Sequence, residues 1–189
     1  SSVARIWYVD PSISSPLIVV SIPAAVDSAS AHDTIMVRGS HWVQFAIDKP
    51  LTLYGEGYSD ITGNKSNIYG RIDVESDSVH ISGFRIQAFG ASFPIRIWGP
   101  ASNITVERCR IEGQVSLSPG AIGHVTFRNN IFQRYSGFGS VDIASAIIDT
   151  AIFENNVFDD INFTSVGTST GLNTVVIRNN LFLDLGAIT

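Results

Sequence analysis

"VTFRNNIF" occupies Val125 to Phe132, and the chain repeats the phrase with small changes as "AIFENNVF" from Ala151 and "VVIRNNLF" from Val175. Two earlier segments carry the same apolar pattern without the asparagines, "VHISGFRI" from Val79 and "ITVERCRI" from Ile104, and a weaker one, "LTLYGEGY", starts at Leu51. Subtracting successive starting positions from Leu51 onward gives steps of 28, 25, 21, 26 and 24 residues. Self-similarity at that period is the mark of a stacked-repeat architecture, so the fold has to be settled before any site is read. Between these rows lies a second series, "GRIDV" at Gly70, "PIRIW" at Pro94, "QVSLS" at Gln114 and "SVDIA" at Ser140, with steps of 24, 20 and 26. Every segment alternates with period two, none is long enough for a helix, and Gly, Pro, Asn and Ser punctuate the gaps.

Strands this short, recurring in one chain direction about every 24 residues, must stack in parallel. A β-helix achieves this without crossover helices, because each coil returns the chain over the previous one. The rows resemble the right-handed parallel β-helix of pectin-lyase-like, carbohydrate-associated proteins, whose coils carry an apolar-x-apolar-x-x-Asn-x-apolar signature. The opening is similar to the capped N-terminus of that superfamily: "WYVDPS" at Trp7 to Ser12, then "AVDSASAHDTIMV", then "IDKPLTLYGEG". The resemblance implies an all-β, right-handed parallel β-helix of about six coils over residues 1–189, with residues 1–33 as a cap region and 34–189 as coils. Ser21 as N-cap and Pro23 in the first turn predict one short capping helix over Ile22 to Ala31.

The asparagines read as architecture. Asn130, Asn156 and Asn180 are expected at the bend between two strands, in the left-handed backbone that Asn tolerates better than most residues. Stacked one coil apart, roughly 4.8 Å, their amides can form a three-rung ladder that satisfies buried backbone groups. Phe84 and Cys109 take that position in the earlier coils, and Cys109 reads as a small buried hydrophobe.

Outward residues then fall into columns. Glu107, Arg128, Glu154 and Arg178 alternate in sign from coil to coil and read as a self-neutralising wall. Arg85, Arg110, Ile131, Val157 and Leu181 form a second column, whose last three members are an exposed apolar patch if the alternation holds through the bend, and core if it slips by one. In lyases and hydrolases of the resembled superfamily, the sheet before the Asn rows floors a polysaccharide groove. Here that sheet displays Arg71, Asp73 and Glu75, then Arg96 and Trp98, then Gln114, Ser116 and Ser118, then Ser140 and Asp142, with Tyr135 and Phe138 in a bordering loop. Asp73, Glu75, Arg96, Trp98 and Asp142 are the candidate glycan-binding residues, with Trp98 offering a flat face to a sugar ring.

Catalysis has weaker support. Glycoside hydrolysis needs two carboxyl groups about 5–9.5 Å apart. Asp73 and Glu75, about 6.6 Å apart by strand geometry, meet that spacing only as any alternate acids on an exposed strand do. Asp73 and Asp142 lie three coils apart. Asp159–Asp160 lacks the Asn-x-Asp, Gly-His and Arg-x-Lys companions of polygalacturonases, and no calcium-lyase pattern of acids with Arg-x-Pro-x-x-Arg occurs. His32, His41, His80 and His124 lack metal-ligand spacing, so no metal or cofactor is expected. Gly55-x-Gly57 has neither a third glycine nor a following helix, and reads as a turn.

A net charge of −5 and a pI near 5.2 argue against nucleic acid and against anionic lipid. No apolar run is long enough to span a bilayer. The single cysteine excludes a disulfide framework. The expectation is therefore a non-catalytic polysaccharide-binding module, extracellular or at the cell surface after removal of a signal peptide. The alternatives are an appendage protein that oligomerises through its C-terminal coil, where no amphipathic cap follows "FLDLGAIT", and a lyase or hydrolase with an atypical site.

Overall fold

The computed structural model describes residues 4–11, 19, 21–58, 65–88, 93–117, 120–136, 140–142, 147–164 and 172–184. They form an all-β solenoid of about six turns with one short helix, and the strand pairs within it are parallel. One sheet stacks Ile6–Val9, Thr34–Val37, Thr52–Gly55, His80–Ser82, Ile104–Glu107, Ala121–Arg128, Ile147–Glu154 and Leu172–Arg178 in that order. The register sets Ile104 beside Val125, Val125 beside Ala151 and Ala151 beside Val175, the alignment that the repeated phrases imply.

The second sheet is folded into two faces. The long strand Ser66–Val74 belongs to both: Asn67–Tyr69 pairs with Arg85–Gln87, and Ile72–Val74 pairs with Ile95–Ile97. From the first pairing the stack continues through Arg110–Glu112, Ile131–Gln133, Val157–Asp159 and Leu181–Leu183. From the second it continues through Val115–Leu117, Ser140–Asp142 and Asn162–Thr164. Gly39–Ile47 pairs with the whole of Ser66–Val74. Gly70, at the fold between the faces, has φ 157, and a Cβ there would lie 1.9 Å from the Val43 carbonyl oxygen, so only glycine fits. This corner corrects one step of the second repeat series. Ile72 pairs with Ile95, a step of 23 rather than 24, because Gly70 belongs to the bend and the paired run starts after it.

Inward side chains stack coil on coil. One row runs Ile35, Leu53, Ile81, Val106, Phe127, Phe153, Ile177, and another runs Ile68, Ile86, Ile111, Phe132, Phe158, Phe182. The phenylalanines stack face to face at coil spacing: Phe127–Phe153 at 5.2 Å, Phe132–Phe158 at 4.8 Å and Phe158–Phe182 at 4.9 Å. With Phe132 and Phe158 buried, Ile131, Val157 and Leu181 point outward, so the alternation does hold through the bend.

The helix spans Ile22–Ser28, ending before the expected Ala31. Ser21 Oγ accepts from the Ala24 N–H at 3.3 Å, while Lys49 Nζ reaches in to donate to the Val26 and Ala29 carbonyls at the other end. Beyond Ser28 the chain turns because the Asp33 carboxylate accepts from the Ser30 N–H, and it also accepts from the Arg5 N–H and the Trp7 indole. Burial works to raise the Asp33 pKa, but these three donors outweigh it and hold the carboxyl below its usual range. Ile22, Ala25 and Val26 are buried and cover one end of the core. Residues 1–33 are not purely a cap, since Ile6–Val9 is the first strand of the stack.

The bend itself needs a correction. The left-handed residues are Asn129, Asn155 and Asn179, with φ of 56, 55 and 54, and not their successors. In the earlier coils Gly83 and Arg108 hold that position, at φ 79 and 50. The second asparagine of each pair turns inward instead. Asn130 Oδ1 accepts from the Cys109 N–H, Asn156 Oδ1 from the Asn130 N–H and Asn180 Oδ1 from the Asn156 N–H, at 3.0, 2.9 and 2.8 Å. Their Nδ2 groups donate to the carbonyls of Val106, Phe127 and Phe153. The pair thus divides two tasks: one residue makes the turn, and the next satisfies backbone groups that the turn leaves buried.

Candidate functional site

Asp73, Arg96 and Trp98 come together at the face that follows the Gly70 fold. Asp73 sits opposite Arg96 in the register, and alternation points both side chains outward. Asp73 Oδ1 accepts from Arg96 Nε at 2.9 Å and from Trp98 Nε1 at 3.3 Å, while Oδ2 accepts from Arg71 Nε at 2.9 Å. The Arg96 guanidinium lies 4.1 Å from the centroid of the Trp98 ring. Asp73 is only 7% exposed, and both its oxygens are engaged. A carboxylate used in this way orders two arginines and an indole; it is not open to donate a proton to a glycosidic oxygen or to attack an anomeric carbon.

The other acids do not join it. Glu75 lies just past the last strand residue, Val74, and lines a shallow hollow of about 280 Å³ together with Asp27, Gln44 and Asp48. Asp142 follows Ser116, which follows Arg96, so it stands three coils from Asp73, roughly 14 Å at about 4.8 Å per coil. Asp159 accepts from Gln133 Nε2 at 3.0 Å, and Asp160, at φ 52, lies 3.4 Å from Arg134. Ser118 and Phe138 lie outside the described residues, as do the side chains of Ser140 and Thr164.

The charged column pairs in twos. Arg128 bonds Glu107, and Arg178 bonds Glu154. Within the self-neutralising column Glu107 is buried, and it also meets Arg108 at 3.1 Å and His80 Nε2 at 3.2 Å, the latter in ion-pair range but off hydrogen-bond geometry. Burial would raise the Glu107 pKa; the Arg128 hydrogen bond and the charges of Arg128, His80 and Arg108 outweigh it and hold the carboxyl below its ordinary value. Burial pushes the Cys109 thiol up to about 12, so it is no nucleophile near neutral pH. Among the described residues no group of three or more His, Cys, Asp or Glu could hold a metal ion.

Two residues absent from the sequence-derived set adjoin this face. Trp42 is 66% exposed and stacks on Tyr69, with centroids 4.5 Å apart and planes at 23°. The pair follows from register, Trp42 opposite Tyr69, and from Tyr69 lying two residues before Arg71 on the outward side of one strand. Gln44 is opposite Arg71, and Gln87 is opposite Tyr69 in the next coil. The surface therefore runs from an exposed aromatic pair, across the Arg71–Asp73–Arg96 cluster, to the half-buried Trp98. The alternation in "GSHWVQFAI" carries the signal for Trp42, but that strand matches neither repeat series.

No protein-family model matches the chain, and no curated protein or solved structure matches it either. Among the described residues no helix is long and apolar enough to cross a membrane.

Proposed function

We propose that this solenoid is a non-catalytic carbohydrate-binding module of pectin-lyase-like type, acting outside the cell or at its surface, with its glycan face running from Trp42 and Tyr69 to Trp98. The observation that carries the reading is the exposed Trp42–Tyr69 stack beside ordered guanidinium and amide groups. A sugar ring presents an apolar C–H face and a rim of hydroxyls, and this surface offers an aromatic plane with Arg71, Gln44, Gln87 and Arg96 around it. The engaged state of Asp73 favours binding over turnover. The test is a glycan array run beside reducing-sugar and unsaturated-product assays on the same polysaccharides. Retention without product supports the proposal. Product that disappears in Asp73→Asn or Glu75→Gln overturns its non-catalytic half, and retention unchanged in Trp42→Ala overturns its location.

A second reading has its own observation. Leu181, 53% exposed, continues the outward apolar column of Ile131 and Val157, and Leu183, 41% exposed, lies two residues along on the same outward side. Association through this patch would make the protein an assembly component. Sedimentation of the wild type and of Leu181→Lys separates the readings: a strict monomer at high concentration removes the second.

A further inference from the structure

Among the described residues, the first strand of the second sheet, Gly39–Ile47, pairs on one side only, with Ser66–Val74. In a parallel strand the N–H and C=O of one residue point to the same side, and successive residues alternate. The Gly39 N–H donates to the Lys65 carbonyl and the Ile47 carbonyl accepts from the Glu75 N–H, so the odd-numbered residues face Ser66–Val74. The N–H and C=O groups of Gln44 and Ala46 therefore face the other way, toward the N-terminal end of the stack. No partner for them occurs among the described residues. Pro11 lies within 3.2 Å of the point where a Cβ on Gly39 would stand, so the chain itself passes below the start of this edge. Farther along, at Gln44 and Ala46, there is a hollow of about 280 Å³ instead.

The hollow lies between the strand edge and the helix Ile22–Ser28, with Gln44 and Ala46 on one side and Val26 on the other. A groove between an edge strand and a helix is a shape that receives an extended peptide as an added strand. Main-chain bonds to the edge then give affinity, and the side chains alongside select the sequence. Neither proline nor lysine within Gly39–Ile47 blocks such pairing. The charge of the groove narrows what enters. Asp27, Asp48 and Glu75 line it, and all three are exposed. The nearby cations are committed elsewhere. Lys49 Nζ, 3.8 Å from Asp48, donates to the Val26 and Ala29 carbonyls, and Arg71, opposite Gln44, holds Asp73. Two copies of this chain paired edge to edge would set these carboxylates against one another. An extended segment with lysine or arginine side chains meets both requirements, main chain and charge.

We propose that the groove between Gly39–Ile47 and the helix binds a short, extended, basic peptide as an added strand. Its main chain pairs with Gln44 and Ala46, and its cationic side chains meet Asp27, Asp48 and Glu75. The site stands or falls independently of the glycan face, because it uses the main chain of Gln44 and not the side chain. The experiment titrates the intact protein with acetyl-Thr-Lys-Val-Lys-Thr-amide while following the amide signals of Gln44 and Ala46. Two further probes are the peptide with glutamates in place of its lysines and the basic peptide N-methylated along its main chain. The basic peptide should shift both amides saturably, and the glutamate peptide should not. The N-methylated peptide keeps the charge but loses its donors, and should bind about tenfold more weakly, the loss of two hydrogen bonds. Ala46→Pro removes an edge donor but no ladder bond, and should weaken binding about fivefold at the Gln44 signal. Asp48→Asn, an exposed substitution, should weaken it about threefold. Absence of a saturable shift, or equal affinity for the glutamate peptide or the N-methylated one, would each overturn the proposal. So would occupation of the same amides by a polysaccharide in place of the peptide.

Discussion

Among the described residues the same corner is built five times, in two styles. In the last three coils it is Asn129–Asn130, Asn155–Asn156 and Asn179–Asn180; in the two before them it is Gly83–Phe84 and Arg108–Cys109. The backbone is alike throughout, with a left-handed residue followed by an inward one, and in the first four corners the turning N–H bonds the next coil's carbonyl, as Gly83 does to Glu107 and Asn155 to Arg178. What differs is the side chain. Where the asparagines repeat, the inward amide ties neighbouring coils together and the phenylalanines stack beside it. Where they do not, the inward position is a plain hydrophobe, and the Trp42–Tyr69 pair lies farther toward the same end of the stack. The regular part of the solenoid is tied by repeated amide and ring contacts, and the exposed aromatic pair lies where those contacts are absent.

That contrast can be broken by substitution. Phe153 stacks on Phe127 and touches Phe158 within the regular region, so Phe153→Ala should have the largest effect, a loss of about 3–5 kcal/mol in urea unfolding. Asn156→Ala comes next. It strands the Asn130 N–H and the Phe127 carbonyl inside the corner, with a cost of about 2–3 kcal/mol. Asn155→Ala touches no ladder bond and forces alanine into the left-handed region, so about 1 kcal/mol should be lost. If the two asparagine substitutions cost the same, the division of tasks within the pair is wrong.

The smallest effect is a pH dependence at the less regular end. Because Glu107 titrates below its ordinary value of 4.5, its contribution to stability is complete above that value and is lost as the pH falls through the lowered one. Urea midpoints of the wild type should therefore drop on acidification more steeply than those of Glu107→Gln. Parallel curves would show that the Arg128–Glu107 bond adds nothing that the exposed Glu154–Arg178 pair lacks.

Much of the fold was legible because a solenoid writes its register into its repeats. Aligning "ITVERCRI" with "VTFRNNIF" already sets Arg128 beside Glu107. The second series, at its step of 24, sets Ile97 beside Asp73, and only the step of 23 at the Gly70 bend brings Arg96 there. The tasks of the two asparagines were not legible: either can adopt a left-handed backbone, and only the direction of the chain at the corner decides which one turns inward. Trp42 is not legible in the repeats because its strand belongs to neither series, and its place beside Tyr69 depends on a long strand running past Gly70. The state of Asp73 likewise required three donors converging from positions 71, 96 and 98.

The most direct measurement is calorimetric titration of the wild type and Trp42→Ala with the polysaccharide that the array retains best, with melting temperatures taken in parallel. At least about tenfold weaker binding in the variant is expected, the loss of one aromatic platform, with melting lowered by only about 2–4 °C for the lost stack on Tyr69. Equal affinity in the two proteins, or no measurable heat with any polysaccharide, would contradict the assignment of this face to glycan binding.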